Sequence, residues 1–437
     1  MKKTTMKKPA SKFGKKKEIN RAFKGKHGLS YSGKESKDAV HNVGLKRMDQ
    51  VPYESINNLN QEACKKMFIE EQVVLKSGAT KPGRDLVFKC WSCGDPMAPD
   101  EGGLRCNRKA CGQPRLNNLE VAFTPMASYL SAGQDIDYQM CLRTAYALGC
   151  KLSNDQACHF VRRANESVRT VENKVNALYR CFKVALAYLE TVKANTTVFE
   201  NDVVEPDSCR TGSTRKGSTA GTKGNHGRTL VVKGRFKKEW VVKSLRSKDS
   251  KTGPGCGGPE SLPEVEEPIA KLFGLGTVVA PDGSKALHSA AKKAGKPSLK
   301  GVSHFTKVFT PVSKLLKSKL SKDVVKMLRS KCKGKKTPVK ETALYFVLAG
   351  GDNAAESLTG HVKNTMRRLG NVGRFNNTRG EIKNVQTMAA AALLRQAGFQ
   401  TVLAALRQYR IACSTGVVAV SPNGAFKLEC VQTWLYQ

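Results

Sequence analysis

The sequence predicts an α/β chain: a mixed-sheet domain of about 200 residues, led by a cysteine-rich module and a helical region. Three observations carry that class. Segments TTVFENDVVE, RTLVVKGRF and EWVVKSL have strand character and follow one another across loops rich in Gly, Ser and Thr. Helical and strand-like apolar periods then alternate toward the C-terminus. Ahead of them, YQMCLRTAYALG and DQACHFVRRANESVRTV place apolar residues three and four apart, the period of amphipathic helices.

In chain order, residues 1–83 read as a basic, largely disordered arm with one short helix around Asn60–Glu71. Residues 84–118 form the cysteine module and 119–194 a helical region, in which CKLSN is a turn and Asn154 or Asp155 caps the second helix. The α/β domain is expected over 195–410. Its strands come first, then a helix in PEVEEPIAKLFGL, a short strand in GTVVAPDG and another in KGVSHFTKVFT. A Lys-rich insertion near 311–340, KLLKSKLSKDVVKMLRSKCKGKK, reads as an exposed helix. ETALYFVLAGGDNAAESLTGHVKNTMRRLG and NVQTMAAAALLRQAGFQTVLAALRQYR read as further helices, and 411–437 as a tail.

Charge narrows the function classes. Among 437 residues, 75 Lys and Arg stand against 36 Asp and Glu, a formal net charge of +39. An excess of that size, spread along the chain, points to a polyanion, nucleic acid before anionic membrane. The longest apolar run, Met388–Leu394, is far too short to span a bilayer, so no membrane partner is expected. The basic N-terminus suits a nuclear address or a phosphate-binding tail. Fourteen irregularly spaced cysteines without a secretory signal suit a reducing compartment, with a subset bound to metal.

That subset is Cys90-x2-Cys93, twelve residues, then Cys106-x4-Cys111. Two close thiolate pairs joined by a Gly-rich hairpin can converge on one tetrahedral Zn²⁺, and four filled positions make such a site structural. This is the pattern of a zinc ribbon. Arg105, Arg108 and Lys109 surround its knuckles and are candidate DNA contacts. So are Arg162 and Arg163 on or near the second helix of a helix-turn-helix-like pair, and Arg215 and Lys216 in the loop CRTGSTRKGSTAGTKGNHG.

Against this positive background, Glu200, Asp202, Glu205 and Asp207 crowd into eight residues. Carboxylates there repel a polyanion unless a cation stands between. Asp207 is read at the end of the first strand, Asp282 at the end of the fourth, and Glu356 in the first turns of a late helix. Three such groups can hold two Mg²⁺ or Mn²⁺ ions, hard cations that favour oxygen ligands.

The order of zinc ribbon, helical pair, VE-x-D, strand pair, DG-x-x-A, His-Phe, N-x-x-E and basic helix resembles the DDE transposases of the Merlin and bacterial ISXO-type insertion-sequence group. It is also similar to the transposase-like proteins of dinoflagellates. The resemblance runs from about Phe88 to Tyr409. It implies a ribonuclease H-like catalytic domain, with Asp207, Asp282 and Glu356 the catalytic, metal-holding acids. Glu205, His304, Asn353 and Lys363 fall on accessory positions. Ser208 departs from the pattern, standing where a second acid is common. The implied activity is metal-dependent cleavage and transfer of DNA strands, on double-stranded element ends and target, by a homo-oligomer assembled on DNA in the nucleus of a eukaryote. A catalytically inactive, host-adapted nuclear DNA-binding protein is the first alternative. An RNA-binding structural protein or nucleoprotein is the second, and makes VEPD, PDGSKA and NAAE unrelated.

Overall fold

The computed structural model describes residues 53–74, 89–90, 93–100, 103–112, 115–117, 136–211, 227–245, 260–301, 311–333, 339–369, 378–394, 398–418 and 434–435. All belong to one compact unit, Lys46–Gln437. The basic arm through residue 52, all but the first two residues of the strand expected over 300–310, His304, Arg215 and Lys216 lie outside the described residues.

Among the described residues the central sheet has four strands. β4 (Val203–Thr211), β5 (Gly227–Gly234) and β6 (Trp240–Leu245) form an antiparallel meander, while β7 (Val278–Val279) joins the other side of β4 in parallel, giving the order β6-β5-β4-β7. Val279 also bridges in parallel to Ser298. Alternation along each strand sends side chains to two different cores. Val204, Leu230, Val232, Val241 and Leu245 pack with α6 (Leu262–Leu272) and α7 (Lys285–Lys293) on one face. Cys209, Val231, Trp240 and Val242 face α5 (Val168–Thr196), α9 (Asn353–Arg368), α10 (Thr378–Leu394) and α11 (Phe399–Ser414) on the other.

β4 begins later than expected and runs on through Thr211, so Asp207 sits mid-strand rather than at a strand end. Its pairing with β5 from Val204↔Gly234 to Thr211↔Gly227 carries it there. Pro206 is compatible because of where its missing donor points. Val203 O accepts from Arg235 N on the β5 side and Val204 O from Ala280 N on the β7 side. Even-numbered residues therefore turn toward β7, which ends at Val279, before a partner for Pro206 is required.

The helical region is longer and more integrated than a helix pair. α3 (Tyr138–Gly149) matches YQMCLRTAYALG. α4 (Asn154–Val161) is capped by Ser153, not Asn154 or Asp155: Ser153 Oγ accepts from Gln156 N and Ser153 N donates to Gln156 Oε1. The expected second helix breaks over Arg162–Ser167 before α5 resumes. Residues of α1 (Tyr53–Asn57), α2 (Gln61–Glu70, capped by Asn60), α3, α4 and α5 share one core with Met388–Leu394, Phe399–Cys413 and Trp434. The boundary expected at 194/195 runs through that core. So does the tail boundary, since Trp434 packs edge-on against Tyr188 and Tyr409.

The Lys-rich insertion is not one helix. β8 (Val312–Leu316), β9 (Val339–Glu341) and β10 (Tyr345–Ala349) form a small antiparallel sheet, order β8-β10-β9, with α8 (Lys322–Cys332) between β8 and β9 in sequence. YFVLA is a strand because Phe346 and Leu348 alternate inward, a period of two inside a stretch read as helical. Val203, Val278, Leu315, Val324, Leu328, Phe346 and Leu348 form one core, which seats this layer on the β4–β7 edge. No helix among the described residues is long and apolar enough to cross a membrane.

Candidate metal centres

The first centre gathers the four cysteines. β1 (Met97–Asp100), β2 (Gly103–Cys106) and β3 (Arg115–Asn117) make a three-stranded antiparallel sheet. Gly94 and Gly112 turn the chain just after Cys93 and Cys111 with positive φ of 75° and 76°, the left-handed conformation glycine adopts freely. The sulfurs of Cys90, Cys93, Cys106 and Cys111 all lie within 4.8 Å of one another. Cys93 Sγ is 3.5 Å and Cys106 Sγ 3.1 Å from its neighbour's sulfur, Cys106 and Cys111 respectively. These separations are far beyond a disulfide bond of about 2.05 Å. They approach the spacing of four ligands about 2.3 Å from one ion. Burial pushes the Cys106 thiol up to about 12, helped by the hydrogen bond to Cys111. Arg108 is drawn to Asp95, 3.3 Å away, while Lys109 stays exposed and Arg105 is half-buried.

The second centre is acidic. Alternation puts Glu205, Asp207 and Cys209 on one face of β4, toward α9. Glu205 Oε2 accepts from the backbone N of Ala354 (2.6 Å) and Ala355 (3.3 Å), so a strand carboxylate caps the N-terminus of α9. Its other oxygen meets Arg235 Nε at 2.6 Å, and the Arg235 guanidinium donates onward to Ala349 O (2.6 Å) and Gly351 O (2.8 Å). Glu205 is thereby committed to holding the chain around Asp352, and is not an accompanying site acid.

Asp207, Asp282 and Asp352 offer carboxylate oxygens within 4.8 Å of one another. Asp207 comes from β4, Asp282 from the turn after β7, and Asp352 from the cap of α9. Thr359 Oγ1 donates to Asp207 Oδ2 at 2.9 Å, and Ser284 N to Asp282 Oδ1 at 2.8 Å. Asp352 is 1% exposed, and among the described residues neither of its carboxylate oxygens has a hydrogen-bond partner. Burial pushes its pKa up to about 7, with Glu356, Asp207 and Asp282 adding repulsion. Asp207 is also raised, by burial above all, against the Thr359 hydrogen bond and the attraction of Lys363.

Glu356, expected as the third acid, lies one turn beyond Asp352, exposed and outside the converging set. It still acts on Asp207 and Asp352 through space. Asp352, Glu356, Thr359 and Lys363 follow at intervals of four, three and four, one face of α9. That spacing was the available signal for Asp352. Asn353 is exposed in the first turn. Arg162 is exposed after α4, far along the chain from the acids, and Arg163 is engaged with Asp137 and Gln139.

No family model, curated protein or solved structure matches the chain. Functional assignment therefore rests on the geometry of these two centres and on the charge.

Proposed function

We propose that the chain is a divalent-metal-dependent phosphodiester transferase acting on DNA, of the DDE transposase kind that its motifs resemble, with a ribonuclease H-like sheet and a structural zinc ribbon. The observation that carries the reading is the convergence of Asp207, Asp282 and Asp352 from three separate elements. The meander β6-β5-β4 with β7 parallel to β4 supports the sheet assignment. A net charge of +39 supports a nucleic-acid partner.

The acids fit a hard cation on chemical grounds. Three carboxylates crowded together, one of them buried with no hydrogen-bond donor to either oxygen among the described residues, are costly as bare charges. Oxygen donors are what Mg²⁺ and Mn²⁺ bind. When bound, such ions activate water and neutralise charge at the leaving oxygen. The chain's own residues set the stage: Thr359 orients Asp207, Ser284 N orients Asp282, and the Glu205–Arg235 pair fixes Asp352 and the start of α9. Glu356 adds negative charge at the exposed rim. The four cysteines leave no open position, so zinc there would hold the small sheet and do no chemistry.

Calorimetric Mn²⁺ titration of the intact chain tests the reading. Binding should disappear in Asp207→Asn, Asp282→Asn and Asp352→Asn, while Glu356→Gln should keep it with weakened affinity. Wild-type chain that takes up no Mn²⁺, with or without DNA, would sink the proposal.

A further inference from the structure

α8 is amphipathic in a one-sided way. Val324 and Leu328, four residues apart, are buried in the core shared with Val203, Val278, Phe346 and Leu348. Its other face carries Lys322, Lys326 and Arg329, with Lys333 just beyond its end. Lys317 opens the single 3₁₀ turn, Lys317–Lys319, that precedes it. These five cations line a cavity of about 800 Å³. Glu341 answers two of them, at 2.7 Å from Lys317 Nζ and 3.2 Å from Arg329 Nε. Even with Glu341, and with Asp323 beside Lys322, the five cations leave a concave surface of net positive charge, which attracts an anion.

The cavity is tied to the acids. Lys317 directly follows β8, whose Leu316 pairs with Tyr345 of β10. From Tyr345 the chain reaches Asp352 in seven residues, at most about 25 Å when fully extended. Adding one strand spacing of about 4.8 Å and one residue more bounds the Lys317 end of the cavity at about 34 Å from Asp352 along the backbone. At about 3.4 Å per base pair, that is about one turn of B-form duplex. Arg235 clamps Ala349 and Gly351, so the connection is held rather than loose.

We propose that this cavity binds the phosphate backbone of the same DNA duplex whose phosphodiester meets Asp207, Asp282 and Asp352. The proposal rests on the reading above for the identity of the polyanion, and it assigns the insertion a role as a positioning surface without base readout.

The test is fluorescence anisotropy of the full chain with a labelled duplex of about 20 base pairs, from about 50 to 200 mM salt and without divalent metal. The variant combines Lys322→Gln, Lys326→Gln and Lys333→Gln, and glutamine forms helix about as well as lysine. A charge-matched control combines Lys66→Gln, Lys238→Gln and Lys271→Gln, all exposed, on α2, in the β5–β6 turn and on α6. The slope of log affinity against log salt should flatten by about two to three in the variant, near 0.9 for each phosphate no longer neutralised, and by less than one in the control. Mn²⁺ binding should be unchanged in both. An unchanged slope, or an equal change in the control, overturns the cavity as a site. A larger change with single-stranded RNA than with duplex overturns the partner. A flattened slope in a chain that never binds Mn²⁺ sinks the metal reading and leaves the cavity standing.

Discussion

Between Glu200 and Asp207, four carboxylates occupy four environments. Glu200 is exposed. Asp202 is fully buried and accepts from the backbone N of Val203, Phe236 and Lys237, closing the turn that follows β5. Glu205 caps α9 and pairs with Arg235, and Asp207 alone faces the metal-compatible set. Their variants should separate accordingly. Glu205→Ala leaves a largely buried guanidinium and two helix donors unanswered and should cost about 3–5 kcal/mol in urea denaturation. Asp207→Asn keeps an acceptor for Thr359 and should change stability by less than about 1 kcal/mol while losing Mn²⁺. Asp352 gives a pH signature. Its folded pKa, about 7, lies above the ordinary value of 3.8, so ionisation destabilises the fold. The penalty is absent below about pH 4, grows as pH rises toward 7 and is complete above it. Asp352→Asn should therefore raise metal-free stability at pH 8, on the order of 2–4 kcal/mol, and leave it nearly unchanged at pH 4. Thermal melts of both proteins at the two pH values check this, and a gain of equal size at pH 4 would contradict it.

At the scale of elements, legibility followed the strength of the local period. RTLVVKGRF, EWVVKSL, YQMCLRTAYALG and the two C-terminal helices formed close to where their patterns placed them. The cysteine cluster was legible because its spacing alone brings the sulfurs together. YFVLA was not, since five alternating residues beside a long helical stretch give a weak signal. Asp352 was hidden for a different reason: it is the cap of α9, and caps are read from backbone donors that sequence does not locate. Here the donors of α9 are answered by Glu205, 149 residues upstream of Ala354, which frees Asp352 for the site. Gly350 is the other silent requirement. A Cβ there would stand 2.3 Å from Lys300 O and 3.0 Å from Pro311 O, both main-chain atoms. Gly350→Ala should cost about 1–3 kcal/mol and weaken Mn²⁺ binding by displacing Asp352. Calorimetry with unchanged affinity would break the link between that close approach and the site.

The whole molecule has cores of unequal reach. Residues 194–291 complete the face of the sheet covered by α6 and α7, from a contiguous stretch of chain. The opposite face needs α5, α9, α10 and α11 together. A fragment beginning at residue 195 leaves Cys209, Val231, Trp240 and Val242 without α5. Each such loss is worth about 1.5–3 kcal/mol of burial, against a total stability of about 5–15 kcal/mol. The fragment should therefore lack a cooperative melt and bind hydrophobic dye. Zinc content is a separate property: one equivalent per chain should survive gel filtration and fall in Cys106→Ser, with α5 and the central sheet still folded.

The seat of Trp434 against Tyr188 and Tyr409 has a consequence for the order of events during synthesis. The α6–α7 side of the sheet can assemble as soon as residue 291 has left the ribosome. The larger core, which draws on Ile56 and on Leu435, waits for nearly four hundred residues of intervening chain. For that interval the side of α5 that α10 and α11 cover lies open, so a nascent chain stalled between residues 300 and 400 is the form most in need of a chaperone.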